Sequence, residues 1–306
     1  KQEDGPYKNL ALEPEMKKPL QMLQTAVADR VIPSDYYNWD SQAAISKAGD
    51  GVIGIAFAVP YSPLWPLNNT LASDSGADWF AAPMITEDGS DFVPSRTLNA
   101  TGYYVVRKGY EHPEVIIKML NNMATSDPEN AWQKGMYEIN SDPANSNAIN
   151  WMPIRIDRST VNFERSSAFI KAIEAKKTTG EYDISDIAIG DIPTWNLVKQ
   201  YEENRSYTDS PQGWAYWKTF MEGVPVAKSY HAEGEPDGSA GKYTDWIYPP
   251  TKTQRSKGSS LETLSNTFRI NVISGKRPVS DFDQFVEDWM SGGGGQILLE
   301  MERAGY

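Results

Sequence analysis

The chain has 306 residues with a formal net charge of -12, from 41 acidic and 29 basic side chains. That balance argues against a nucleic-acid binder and against adsorption to an anionic lipid surface, both of which call for a basic footprint. There are no cysteines, so thiol catalysis, disulfides and cysteine-ligated zinc are excluded.

Lys1 to Tyr7 is polar and has no apolar core, so no signal peptide is expected there. Pro14 opens a helix on whose inner face Met16, Leu20, Leu23 and Val27 recur at helical spacing, and it should stop near Arg30, before Ile32-Pro33. Ala43 to Gly49 reads as a short helix. The run Val52-Ile53-Gly54-Ile55-Ala56-Phe57-Ala58 then reads as a buried strand. Pro60, Pro63 and Pro66 break regular structure around Tyr61 and Trp65. A second strand is expected over Gly102 to Arg107, and Pro113 starts a helix carrying Val115, Ile116, Met119, Leu120 and Met123.

Residues 126 to 160 are rich in Asn, Asp, Ser and Pro and read as irregular. Ser159 to Lys177 reads as a helix with Gly180 beyond its end. Thr194 to Phe220 is an aromatic helical stretch holding Trp195, Tyr201, Tyr207, Trp214, Tyr216 and Trp217. His231 to Gly241 reads as a glycine-rich loop. Ser259 and Glu262 have the spacing of a capping box opening a helix through Leu261, Leu264, Phe268 and Val272, which Gly275 ends. Ser280 should cap a helix with Phe282, Phe285, Val286 and Trp289 inward, and Gly292 to Gly295 separates a last helix.

Ten Trp and sixteen Tyr against nine Phe is a skew toward rings with a polar edge. Such rings suit faces that stack on sugars and hydrogen-bond at the rim, with core packing as the competing reading for each. For catalysis, only His112 and His231 exist, and neither has a nucleophile or metal spacing. No Gly-x-Ser-x-Gly, phosphate-binding glycine loop or histidine metal motif occurs, and neither cofactor nor metal is expected.

Three segments together carry a family resemblance. The first is Lys47-Ala48-Gly49-Asp50-Gly51-Val52-Ile53-Gly54-Ile55-Ala56-Phe57, following a helix that ends in Ala-Asp-Arg-Val-Ile-Pro. The second is Gly102-Tyr103-Tyr104-Val105-Val106, followed by His112-Pro113-Glu114. The third runs from Leu261 to Tyr306 and includes Ile-Ser-Gly-Lys-Arg-Pro-Val-Ser and Phe-Asp-Gln-Phe-Val-Glu-Asp-Trp. In order and spacing these resemble the extracellular solute-binding proteins of carbohydrate ABC importers. The LipO-like lipoproteins look closest, with the alginate-binding proteins more distant. The family begins with a lipobox cysteine and a first lobe; this chain has neither feature and resembles the C-terminal half.

The resemblance implies an α/β class, periplasmic-binding-protein-like (type II) two-lobe fold, helix-rich, with its N-terminal part missing. Residues 1–101 and 255–306 would form the C-terminal lobe, and 102–254 would contribute to the other. It implies capture of a mono- or oligosaccharide without chemistry, and delivery to ABC permease subunits. Location would be extracellular or at the cell surface, through a lipid anchor outside these residues. The ligand-binding residues it implies are Tyr61, Trp65, Trp195 and Glu262; Arg96, in the polar loop before the second strand, is added for its fork of donors to hydroxyl or carboxylate oxygens, with a solvated surface arginine as the competing reading. Partners would be the sugar, the permease and the missing N-terminal part of the same protein. A glycoside hydrolase, or a binder of a peptide or other non-sugar solute, stays open as an alternative.

Overall fold

The computed structural model describes residues 8–74, 76–90, 92, 95–96, 104–123, 160–230, 242–243 and 249–304. Helix covers 64% of them, which establishes the helix-rich character. Regular β structure among the described residues is one two-residue parallel pair, β1 (Ser95–Arg96) against β2 (Lys242–Tyr243), with Ser95 opposite Lys242 and Arg96 opposite Tyr243. Residues 126–159 of the expected irregular stretch 126–160 and the loop 231–241 lie outside the described residues, as do the first two residues of the second expected strand.

The chain divides into two compact units, one of residues 1–44 with 244–306 and one of residues 45–243. These boundaries differ from those at 101 and 255 that the family resemblance suggests.

The first unit is a helical bundle. Its helix α1 (Lys17–Ala28) buries Leu20 and Val27 and ends where Arg30 turns left-handed at φ 61°. Helix α9 (Lys252–Ile273) supplies Leu261, Phe268 and Val272 to the core. Helix α10 (Phe282–Trp289) adds Phe282, Phe285 and Trp289, and α11 (Gly295–Arg303) adds Ile297. Phe268 and Phe285 stack face to face, with centroids 4.3 Å apart and planes within 5°. The Gln24 side chain donates to the Val272 carbonyl (2.6 Å) and the Arg277 carbonyl (3.2 Å), binding α1 to the end of α9.

Two expected caps are corrected. Helix α9 opens at Lys252, nine residues before Leu261, and is capped by Thr251 rather than by Ser259. Thr251 Oγ1 accepts from the Gln254 N–H (3.1 Å), and Gln254 Oε1 accepts from the Thr251 N–H (3.3 Å). The first turns project polar side chains, so they carry none of the apolar spacing that makes a helix legible. Ser280 caps nothing: it lies inside a single 3₁₀ turn, Val279–Asp281, that leads directly into α10. Asp281 instead pairs with Arg277, Nε to Oδ2 at 2.8 Å.

Helix α2 (Ser41–Gly49) spans the boundary after Ala44, and in the second unit α3 (Asn68–Ser73) and α4 (Val115–Met123) precede α5 (Val161–Thr179). Helix α5 ends in Gly180 at φ 86°, its N–H bonded to Lys176 O, as the sequence reading expects. Helices α6 (Ile192–Asn204), α7 (Pro211–Lys218) and α8 (Val224–Lys228) follow. One core joins Phe169, Ala172, Ile173, Ile187, Trp195, Val198, Phe220 and Val224; a second joins Ala48, Leu67, Leu71, Trp214 and Ala215.

The expected strand over 52–58 is not formed. Residues 53–58 lie outside any helix or ladder and make no backbone hydrogen bond to a described residue. An apolar run becomes a strand only when neighbouring strands take up its N–H and C=O groups.

Candidate functional site

The kinked turn between Pro60 and Leu67 is braced near both ends. At one end, Gly223 presses against it: a Cβ there would stand 2.7 Å from the Pro60 carbonyl oxygen, so no larger residue fits. Near the other end, a Cβ on Gly49 would stand 2.9 Å from the Pro66 carbonyl oxygen. Pro66 and Leu67 are buried, and Leu67 joins Leu71, Ala48 and Trp214 in the core. Helix α3 is tied down as well. Thr70 Oγ1 donates to the Ala48 carbonyl (3.0 Å) and accepts from Trp79 Nε1 (3.2 Å), and Tyr207 donates to the Asn68 carbonyl (2.9 Å).

On this braced turn Trp65 is 50% exposed. Its backbone is extended (φ −168°, ψ 132°), and a cis bond links it to Pro66. Among the described residues its indole belongs to no core cluster and its nitrogen has no hydrogen-bond partner. A half-open indole with a free N–H is chemically fit to stack on a sugar face and donate at its rim. Tyr61, four residues earlier, is half-buried and packs against the Phe169–Phe220 core. The turn thus presents one open ring and one anchored ring.

Trp195 has the opposite environment. It is 2% exposed in α6, with Phe169 at 5.5 Å and Tyr182 edge-on at 5.4 Å. Its ring fastens α6 to α5 and is closed to any ligand in this arrangement. Trp214 is also core, at 1% exposure. The backbone of Arg96 lies in the β1–β2 pair opposite Tyr243.

Glu262 is exposed on α9, in the first unit, and its carboxylate makes no hydrogen bond or ion pair among the described residues. It stands on the rim of a groove of about 530 Å³. The floor is apolar (Leu20, Leu261, Phe268, Phe285), while Lys8 and Arg269 add positive charge at the edge. In the sequence reading Leu20, Leu261, Phe268 and Phe285 are core-facing positions and Glu262 a candidate ligand residue; the groove itself is not legible there, because it forms from side chains far apart along the chain.

A polar cluster also escaped it. Lys218, buried in α7, holds Asp78 Oδ1 and Glu222 Oε1, each at 2.9 Å. Burial alone would lower the Lys218 pKa, but its hydrogen bonds to Glu222 and Asp78 raise it above the ordinary lysine value. Alongside, Trp217 Nε1 donates to Glu202 (2.7 Å), and the Arg205 guanidinium lies 4.3 Å from the centre of the Trp217 ring. The Trp217–Glu202 bond and the Arg205 guanidinium over the ring lock α6 to α7.

In the first unit, Glu300 of α11 accepts from the N–H (2.9 Å) and hydroxyl (2.7 Å) of Thr253. These bonds, hydroxyl first, hold its carboxyl well below the ordinary carboxylate value, at about 2. Among the described residues, no group of His, Asp or Glu side chains could hold a metal ion, and no helix is long and apolar enough to cross a membrane.

No family model, curated protein or solved structure matches the chain.

Proposed function

We propose that this chain is the C-terminal half of an extracellular solute-binding protein that captures a mono- or oligosaccharide for uptake by an ABC importer. In this reading two hinged lobes of the type II periplasmic-binding kind close on the ligand, and no bond is made or broken. The closed, loaded form docks on the permease subunits, and a lipid anchor ahead of these residues holds the protein at the cell surface.

The observation that carries the reading is Trp65, a half-open indole on a turn braced from both ends. A pre-formed platform binds without first being ordered, and so keeps more of its stacking energy. Tyr61, four residues earlier in the same turn, is anchored in the Phe169–Phe220 core. Trp195, within its core, holds α6 in place.

A thermal-shift screen against neutral and acidic mono- and oligosaccharides tests the proposal, run on this chain and on the full gene product. A saturable rise in Tm with one sugar class supports it. Release of reducing sugar during incubation would move the assignment to a hydrolase. Stabilisation by peptides and by no sugar would move it to another solute.

A further inference from the structure

The groove of the first unit runs along one face of α9, which lines it with Gly258, Leu261, Glu262, Ser265, Phe268 and Arg269. Its floor is already packed: Leu20, Leu261, Phe268 and Phe285 are between 1% and 5% exposed. The walls are open. Leu10 is 67% exposed, and Met16, Leu298 and Met301 are half-buried, so apolar surface remains for a ligand to cover. Methionine side chains also adapt to the shape of what they meet. A space of about 530 Å³ lies within the range of small-ligand sites.

The charges on the rim say what the ligand must carry. Glu262 makes no hydrogen bond or ion pair among the described residues. Arg269 donates to Asn266 Oδ1 (2.6 Å) and has no carboxylate partner among them. Lys8, the other basic residue of the rim, is paired with Glu13 at 3.3 Å. Seven residues apart on one helix, Glu262 and Arg269 share a face and stand about 10.5 Å apart along its axis. A fatty carboxylate would satisfy Arg269 and leave Glu262 unpaired beside it; a cationic amphiphile would do the reverse. A ligand with an ammonium at one end and a carboxylate at the other satisfies both. A single amino acid carries the two charges on one carbon, too close to reach both residues. Three extended peptide residues span about 10 Å, which matches.

We propose that this groove binds a short zwitterionic peptide of about three residues with apolar side chains. Its ammonium pairs with Glu262, its carboxylate with Arg269, and its side chains cover the open walls. The inference is independent of the sugar reading, which rests on Trp65 in the second unit.

Isothermal titration calorimetry of the 306-residue chain with trileucine, its N-acetylated form, its C-amidated form and trialanine tests this. Trileucine should bind saturably. Trialanine should bind at least about tenfold more weakly, because it covers less apolar surface. Blocking either terminus should weaken binding by about fivefold, the scale of an exposed ion pair. Glu262→Gln should weaken free trileucine by the same factor and leave the N-acetylated form unaffected. Arg269→Gln should spare the C-amidated form in the same way. A loss of affinity that ignores capping would give these residues a structural role only and overturn the inference. So would no saturable binding, equal binding of free and capped peptides, or laurate bound as tightly as trileucine. Trp65→Ala should leave trileucine binding intact; its loss would place the peptide on the Trp65 platform and overturn the inference as well. Failure of every sugar to bind, with trileucine still bound, removes the sugar reading alone.

Discussion

Trp65 and Trp195 carry the same side chain in opposite surroundings, and substitution should separate them. Trp195→Ala empties a site that is 2% exposed and should cost about 3–5 kcal/mol in chemical denaturation. Trp65→Ala should change stability by less than about 0.5 kcal/mol, because half of the ring is in solvent and the rest joins no core cluster. The same variant should abolish any sugar-induced rise in Tm. Glu300 makes a pH prediction. Its folded pKa of about 2 lies below the ordinary 4.5, so its stabilising effect is complete above the unfolded value and fades as pH falls toward 2. Acid melting curves of the wild type should therefore fall more steeply across that window than those of Glu300→Gln. Both tryptophans are legible in the sequence as aromatics at a turn. What distinguishes them is not, because Phe169 and Tyr182, which enclose Trp195, approach from a different helix and loop.

At the scale of elements, helices with an apolar stripe are read correctly from spacing and stop signals. Helix α1 ends at Ala28, two residues before Arg30, Gly180 caps the end of α5, and Gly275 follows the end of α9. Helix starts are read less well. Thr251 and Ser259 both have the spacing of a capping box, and only the Thr251 box is formed. Thr251→Ala should cost about 1 kcal/mol in the melting of the first unit, and Ser259→Ala almost nothing. A carboxylate from α11 also braces this end of α9, a contact across 47 residues that no local pattern announces. The Pro60–Leu67 turn is foreseen from its prolines; its bracing is not. Gly223→Ala would drive a methyl group to 2.7 Å from the Pro60 carbonyl, which should destabilise the second unit by about 1–3 kcal/mol.

For the whole molecule, the absence of cysteine excludes thiol chemistry, and helix patterning anticipates a helix-rich chain. The expected strand at 52–58 fails for a reason that belongs to this scale: a ladder is a property of neighbours, and a local apolar run supplies only one side of it. The division into two units is likewise set by contacts between the chain's two ends, such as Leu20 with Leu261 and Phe268, which sequence order conceals. As the proposed platform for a captured sugar, Trp65 is tested by a thermal-shift titration of the full gene product with mono- and oligosaccharides, wild type beside Trp65→Ala. A saturable Tm increase is expected for the wild type and should be absent from the variant. An equal increase in both, or none in either across the panel, would contradict it.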